Sequence, residues 1–345
     1  MDILYSDRHL LHAPAYEFRG KNAGLARHPE TPERVETILR ALRMRGFGEP
    51  LPPEPVERPL LLQVHDSGLV GFLQQAFPRW LGRVGREIDL VPDSFSGRPS
   101  RPPPDPAYQA GYYCTDAQTP VAAGTWEAAL AAASCAASGA KHLVDGRRAV
   151  FALCRPPGHH AARSSYGGYC YLNNAALAAS LLREAGRVAV LDIDFHHGNG
   201  TQEVFYEDPS VLFVSVHADP ETAFPYFWGY PDEKGSGKGR GRNLNLPFAR
   251  DADEAEYLAL LDRGLEAIRR FRGDYLVVSL GLDGYREDPL GGASLTEESY
   301  KKIGLRIRAL GLPVLICLEG GYHLQTLGTC AANLAEAFRF SPALP

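Results

Sequence analysis

Short runs of aliphatic and β-branched residues recur along the chain, separated by longer stretches in which Ala and Leu return at helical spacing. The clearest apolar runs cover residues 150–154, 188–194, 211–217, 275–281 and 314–318. Helix-like stretches cover 126–143, 174–185, 255–272 and 297–310. Strands that are apolar on both faces and separated by helices belong to a parallel sheet covered on both sides. The pattern therefore predicts an α/β fold, an open parallel sheet flanked by helices on both faces. No repeat is visible and no linker divides the chain, so the reading is a single domain over residues 1–345, a length one large core can serve.

Two stretches break the pattern. From about residue 87 to 110, and most densely between Pro92 and Pro106, the chain is rich in proline (DSFSGRPSRPPPD) and predicts neither strand nor helix. Long irregular insertions in compact domains are functional, interfacial or disordered. The second stretch, KGSGKGRGR at 234–242, superficially resembles a phosphate loop, but Gly follows Lys238 where Ser or Thr is needed, and no strand leads directly into it. It reads as a surface loop.

Composition narrows the partners. With a net charge of -5 there is no general attraction to nucleic acid. No apolar run is long enough to span a membrane, and the opening MDILYSDRHL lacks the layout of a secretion signal. The six cysteines (114, 135, 154, 170, 317 and 330) form no CxxC pair, and several fall inside apolar runs. They read as buried free thiols of a cytoplasmic protein.

The chemistry collects where the apolar runs end. Arg155-Pro-Pro-Gly-His159-His160 follows the first, Asp192-Ile-Asp194-Phe-His196-His197-Gly-Asn199 closes the second, and Ser215 and His217 close the third. Asp283 follows the fourth, and Glu319-Gly-Gly-Tyr322 the fifth. Ligands of open parallel sheets bind beyond the carboxyl ends of the strands. In an extended chain Asp192, Asp194 and His196 share a face while His197 points away. One aspartate and one histidine from that face, with Asp283, make a three-ligand metal site of the kind catalytic zinc uses; iron(II), cobalt and manganese suit the same donors. A lone Asp there would be a solvated loop residue or a helix cap. The full DxDxHHGNG pattern is not, because buried charges need partners or a metal.

The tandem His159-His160 needs partners too, and Asp192 and Asn199 are on offer. A carboxylate raises a histidine's pKa, whereas an amide orients the ring without that charge, so such a pair divides acid and base work. Tyr322, after two glycines, is a donor suited to a developing oxyanion, although Gly-Gly-Tyr alone is more often a turn with a core aromatic.

Taken together, CRPPGHH, GYCYLNNAALA, DIDFHHGNGTQEVFY, SVHAD, SLGLDGYREDP and LEGGY resemble, in order and spacing, the zinc-dependent histone deacetylase superfamily with its arginase-like α/β fold. HPETPER, ending in Arg34, resembles the N-terminal motif of that superfamily. GYYC…GTWEAA and AFPYFWGY resemble its acetylpolyamine amidohydrolase branch. The resemblance implies zinc held by Asp194, His196 and Asp283, with His159 and His160 as the paired histidines and Tyr322 as the carbonyl-polarising phenol. It implies Asp192 and Asn199 as partners of the first and second histidine, and Gly168, Tyr169 and Phe224 as a substrate tunnel. It also implies a structural potassium ion at Asp192, Asp194, His196, Ser215 and Val216.

The implied reaction is hydrolysis of N-acetyl amides of small amines, acetylpolyamines foremost, by a homodimer whose proline-rich insertion narrows the cleft. Where polyamine-acting members carry acidic residues, this chain has Ala107 and Gln118, with Asp105 and Asp116 close by as substitutes. Three alternatives stand beside this reading. A protein acetyllysine deacetylase would use the same site with an open rim. A binding protein would have lost a ligand or the tyrosine. An arginase-like ureohydrolase would need a second metal and would lack His159-His160.

Overall fold

The computed structural model describes residues 1–19, 24–96, 101–250 and 252–339. In chain order its strands are β1 (Asp2–Leu4), β2 (Tyr16–Arg19), β3 (Gly24–Arg27), β4 (Ala149–Ala152), β5 (Val188–Asp192), β6 (Val211–Ala218), β7 (Asn243–Phe248), β8 (Tyr275–Leu280) and β9 (Val314–Leu318). The helices are α1 (Glu33–Met44), α2 (Arg58–Val64), α3 (Ser67–Val84), α4 (Ala110–Tyr113), α5 (Thr125–Val144), α6 (Asn174–Leu182), α7 (Asn199–Phe205), α8 (Glu254–Phe271), α9 (Glu297–Arg308) and α10 (Leu324–Glu336). Seven strands form one sheet in the order β1-β4-β9-β8-β5-β6-β7, every pairing parallel. Strands β2 and β3 pair antiparallel on their own.

The five predicted strands are the interior of this sheet. Both faces are covered: on β5, Ala189 and Leu191 join one apolar cluster while Val188 and Val190 join the other. Each buried Val or Leu side chain removed from water contributes roughly 1.5–3 kcal/mol. The Ala-rich α5 lies almost wholly inside, so close to the sheet that a Cβ on Gly139 would sit 2.5 Å from Leu315 Cδ1. Sequence patterning missed the two edge strands. β1 has only three residues, and β7 alternates polar with apolar positions and contains Pro247, as an edge strand can.

One local expectation fails. The apolar run from 188 predicts a strand through Asp194, but the strand stops at Asp192. The cause is turn chemistry: Asp192 Oδ1 accepts from the Asp194 amide at 3.1 Å, and Asp194 Oδ1 accepts from the His196 amide at 2.9 Å. Asp side chains that bond the backbone two residues on compete with the sheet ladder. The three side chains therefore do not share one face of an extended strand; a turn brings them round.

The proline-rich insertion is irregular over its described part, before a short 3-10 turn at Pro106–Tyr108, and residues 97–100 lie outside the described residues. The 234–242 stretch is a surface connection that holds a 3-10 turn at Gly237–Gly239. Among the described residues, no helix is long and apolar enough to cross a membrane. All six cysteines are buried and unpaired.

Candidate active site

The carboxyl ends of β4, β5, β8 and β9 meet at one place. Beyond β4, His159 Nδ1 donates to Asp192 Oδ2 at 3.0 Å, and His160 Nδ1 donates to Asn199 Oδ1 at 2.8 Å. The two imidazoles lie 4.0 Å apart between centroids. Glu319, at the end of β9, holds their loop: its Oε2 accepts from the amides of Gly158 at 2.6 Å and His159 at 3.1 Å.

The environments push the two histidines in opposite directions. Burial alone would lower the pKa of His159, but the Asp192 and Asp194 charges outweigh it and hold it at about 10. Burial lowers His160 well below the ordinary imidazole value, and the neighbouring His159 and His196 lower it further. The Asp192 partner thus favours the charged form of His159, and burial favours the neutral form of His160.

Asp194, His196 and Asp283 present ligand atoms that all lie within 4.8 Å of one another. His196 Nδ1 is 2.9 Å from Asp283 Oδ2 and 3.2 Å from Asp194 Oδ1. Backbone amides fix both carboxylates, Phe195 N to Asp283 Oδ1 at 3.0 Å and Gly320 N to Asp194 Oδ2 at 2.8 Å. Burial, then the nearby Asp194 charge, raises the Asp283 carboxyl to about 7. Against burial, hydrogen bonds to both carboxylates raise His196 to about 10. Two buried carboxylates thus crowd one imidazole, which must be charged to keep them company. A divalent cation answers that demand better than a proton, and the donor set fits zinc. A second group of donors, His159, Cys170 and Glu319, is equally compact. There the Glu319 carboxylate already serves two amides, and burial keeps the Cys170 thiol neutral.

Tyr322 enters from beyond β9. Burial raises its pKa well above the ordinary phenol value, so the hydroxyl stays a donor. Arg34, fully buried, donates from Nε to Gly321 O at 2.6 Å and from Nη2 to Glu319 O at 2.5 Å, with its guanidinium 4.8 Å over the Tyr322 ring. Tyr169 meets Tyr322 edge-on at 5.9 Å, and Phe224 meets His160 edge-on at 4.9 Å. Gly168 lies between them with φ +56°, and a Cβ there would fall 2.3 Å from His160 Cδ2, so the position requires glycine.

The structure also places residues that the sequence did not single out. Glu17 on β2 accepts from the Tyr169 hydroxyl at 2.5 Å. Glu30 pairs with both Arg34 at 2.7 Å and Arg155 at 2.8 Å, all three fully buried. Burial would raise the Glu30 carboxyl, but the Arg155 and Arg34 charges hold it at about 2. Glu30 falls inside HPETPER, so only the motif could have flagged it.

Asp105 and Asp116 are occupied locally. Asp105 caps the Ala107 amide at 3.0 Å, and Asp116 takes the Gly168 amide at 2.6 Å and the Thr119 hydroxyl at 2.9 Å. Asp116 thus braces the turn at Gly168. His197 leaves the cluster and packs on His217 at 4.4 Å; Ser215, in register with Asp192, bonds His217 Nδ1 at 2.7 Å, and Val216 beside it is buried.

Comparison with known proteins assigns this arrangement to a class. A histone deacetylase domain matches residues 28–338, and the chain belongs to the histone deacetylase family. Within it, the chain falls in the acetylpolyamine amidohydrolase-like branch. It is 43% identical over 342 residues to acetylpolyamine amidohydrolase 2 of Pseudomonas aeruginosa, covering 98% of each chain. It is 41% identical over 340 residues to acetylpolyamine amidohydrolase of Mycoplana ramosa, covering 97% of this chain and 99% of that one. The crystal structure of acetylpolyamine aminohydrolase from Burkholderia pseudomallei superposes with a TM-score of 0.93 at 37% identity, over 98% of each chain.

Proposed function

We propose that this protein is a zinc-dependent deacetylase that hydrolyses N-acetyl amides of small amines, acetylpolyamines foremost, to acetate and free amine. The observation that carries the reading is the joint placement of Asp194, His196 and Asp283 beside His159, His160 and Tyr322. A divalent metal held by the first three would supply Lewis-acid activation of the amide carbonyl and of the attacking water. Iron(II) or cobalt suits the same donors. A structural potassium ion fits near Asp192, Asp194, His196, Ser215 and Val216, where β5 ends at Asp192 in register with Ser215 and β6 runs on past it.

The chain's own residues do the rest. His160, neutral at physiological pH, takes a proton from the water as the water oxygen bonds to the acetyl carbon. The Tyr322 hydroxyl donates to the carbonyl oxygen as that oxygen gains charge. His159, held charged by Asp192, keeps its proton and steadies the negative charge. The carbon–nitrogen bond then breaks, and the proton on His160 passes to the departing amine nitrogen.

Tyr322→Phe should keep the fold and the metal while lowering kcat on the order of 10²–10³, the scale for deleting one oxyanion donor. An unchanged rate would make Tyr322 a packing residue.

The substrate class rests on the narrow wall formed by Gly168, Tyr169 and Phe224, on the relatives and on the acidic charge balance, which draws in cationic chains over about 8 Å at physiological salt. With Ala107 and Gln118 in place of acidic side chains, short acetylated diamines should be turned over with modest affinity. Comparing kcat/KM on acetylputrescine or acetylcadaverine with that on an acetyllysine peptide tests this. A peptide preferred by about tenfold or more, some 1.4 kcal/mol, would sink the polyamine assignment and leave the chemistry standing.

The proline-rich insertion supports a homodimer, and the six buried thiols suit a reducing cytoplasm. Sedimentation at micromolar concentration should show about twice the 37.7 kDa chain mass; a 37.7 kDa species would refute the dimer.

A further inference from the structure

We infer that Asp288 is a positioning residue that fixes Tyr322 relative to the loop carrying Asp283. The inference rests on the reading of Tyr322 as the oxyanion donor.

Asp288 lies on the connection that follows β8, past Asp283, and is only 7% exposed. That connection is folded back on itself, with the Asp288 amide on Tyr285 O at 2.9 Å and the Gly292 amide on Asp283 O at 2.9 Å. The Asp288 carboxylate reaches both ways. Its Oδ1 accepts from the amides of Leu290 at 3.0 Å and Gly291 at 3.3 Å, inside its own loop. Its Oδ2 accepts from the amides of Tyr322 at 2.6 Å and His323 at 3.0 Å, across in the loop after β9. One carboxylate therefore ties the backbone carrying a metal-ligand candidate to the backbone carrying the phenol.

Tyr322 needs such a tie. It follows Gly320 and Gly321, the latter at φ +117°, a conformation that L side chains rarely adopt. From one side Arg34 holds Gly321 O and packs over the Tyr322 ring. Asp288 is the matching hold on the other side, at the Tyr322 amide itself. A donor assists only if its hydrogen already points where the oxyanion forms, and displacement of about 1 Å in such a group can cost on the order of 10²-fold in rate.

An acceptor just before α10 also stabilises that helix, whatever Tyr322 does, so a melting temperature decides nothing. The discriminating test is a double-mutant cycle. Asp288→Asn keeps one acceptor oxygen, and its amide group cannot serve the second pair of N–H groups. With Tyr322 present, D288N should lower kcat by about ten- to a hundred-fold, with KM within about twofold and the metal content unchanged. In the Tyr322→Phe background the same change should lower kcat by less than about twofold, because the group it positions is gone.

Losses that multiply in the double variant, or a D288N rate that falls only in proportion to lost metal, would overturn the inference while Tyr322 keeps its role. An unchanged rate in Tyr322→Phe alone would overturn both. Should D288N fail to fold, Asp288→Glu, with two acceptor oxygens on a longer stem, carries the same cycle, and the same outcomes support or overturn the inference.

Discussion

Asp283→Ala is expected to yield a folded protein that retains no divalent metal and hydrolyses no acetylated amine above background. Asp283 is one of two carboxylates facing His196 Nδ1, and its Oδ1 is fixed by the Phe195 amide. Its removal leaves Asp194 and His196, one carboxylate and one imidazole, short of the three protein ligands of a catalytic zinc site. Elemental analysis of the unaltered protein should report about one tightly held divalent ion per chain, with potassium counted separately. Removing that ion with a chelator should abolish activity, and adding zinc back should restore it. Full activity in a metal-free preparation would end the metal hypothesis outright.

The second large effect separates the two histidines. His160→Ala should lower kcat by roughly 10²–10⁴, the range for losing a positioned general base, and His159→Ala by less. The ranking follows from their partners. Asp192 favours the charged form of His159, which has no free ring nitrogen to accept a proton, whereas Asn199 orients His160 and burial keeps it neutral. The pH profile adds a sign. A neutral base loses function when pH falls through its pKa, so the acid limb of kcat belongs to His160. After burial, the positive charge of His159 is the next cause that lowers His160. Its removal should therefore raise the His160 pKa and move the acid limb to higher pH in His159→Ala. The reverse ranking, or a limb that moves to lower pH, would transfer the proton-carrying role to His159.

Much of this site was legible in the chain because a buried parallel strand reads as an unbroken apolar run, and such runs end visibly. Where they end in Asp192, Asp283 or Glu319, the polar residue has little reason to be there except the site. Legibility stopped where contacts depend on the fold's closure. Arg34 and Gly321, 287 positions apart, meet only because α1 and α10 pack on the same side of the sheet. Glu17 reaches Tyr169 across 152 positions, from a strand too short to announce itself. The early end of β5 was missed for a different reason: two aspartates satisfy backbone amides locally, and no apolar pattern records that competition.

The proposed catalytic centre and the proposed substrate tunnel rest on parts of the molecule with different resistance to opening. Asp192 ends β5, an interior strand hydrogen-bonded to β6 and β8, whose amides exchange with solvent only when a large part of the sheet opens. Tyr169, in the proposed tunnel wall, bonds instead to Glu17, in a strand that among the described residues pairs with β3 outside the main sheet. Local opening there is far less costly than opening the sheet. If Gly168, Tyr169 and Phe224 line the substrate path as proposed, that path should loosen around substrates of different length while the centre at the strand ends keeps its geometry, and length tolerance among acetylated amines would become a property of the periphery.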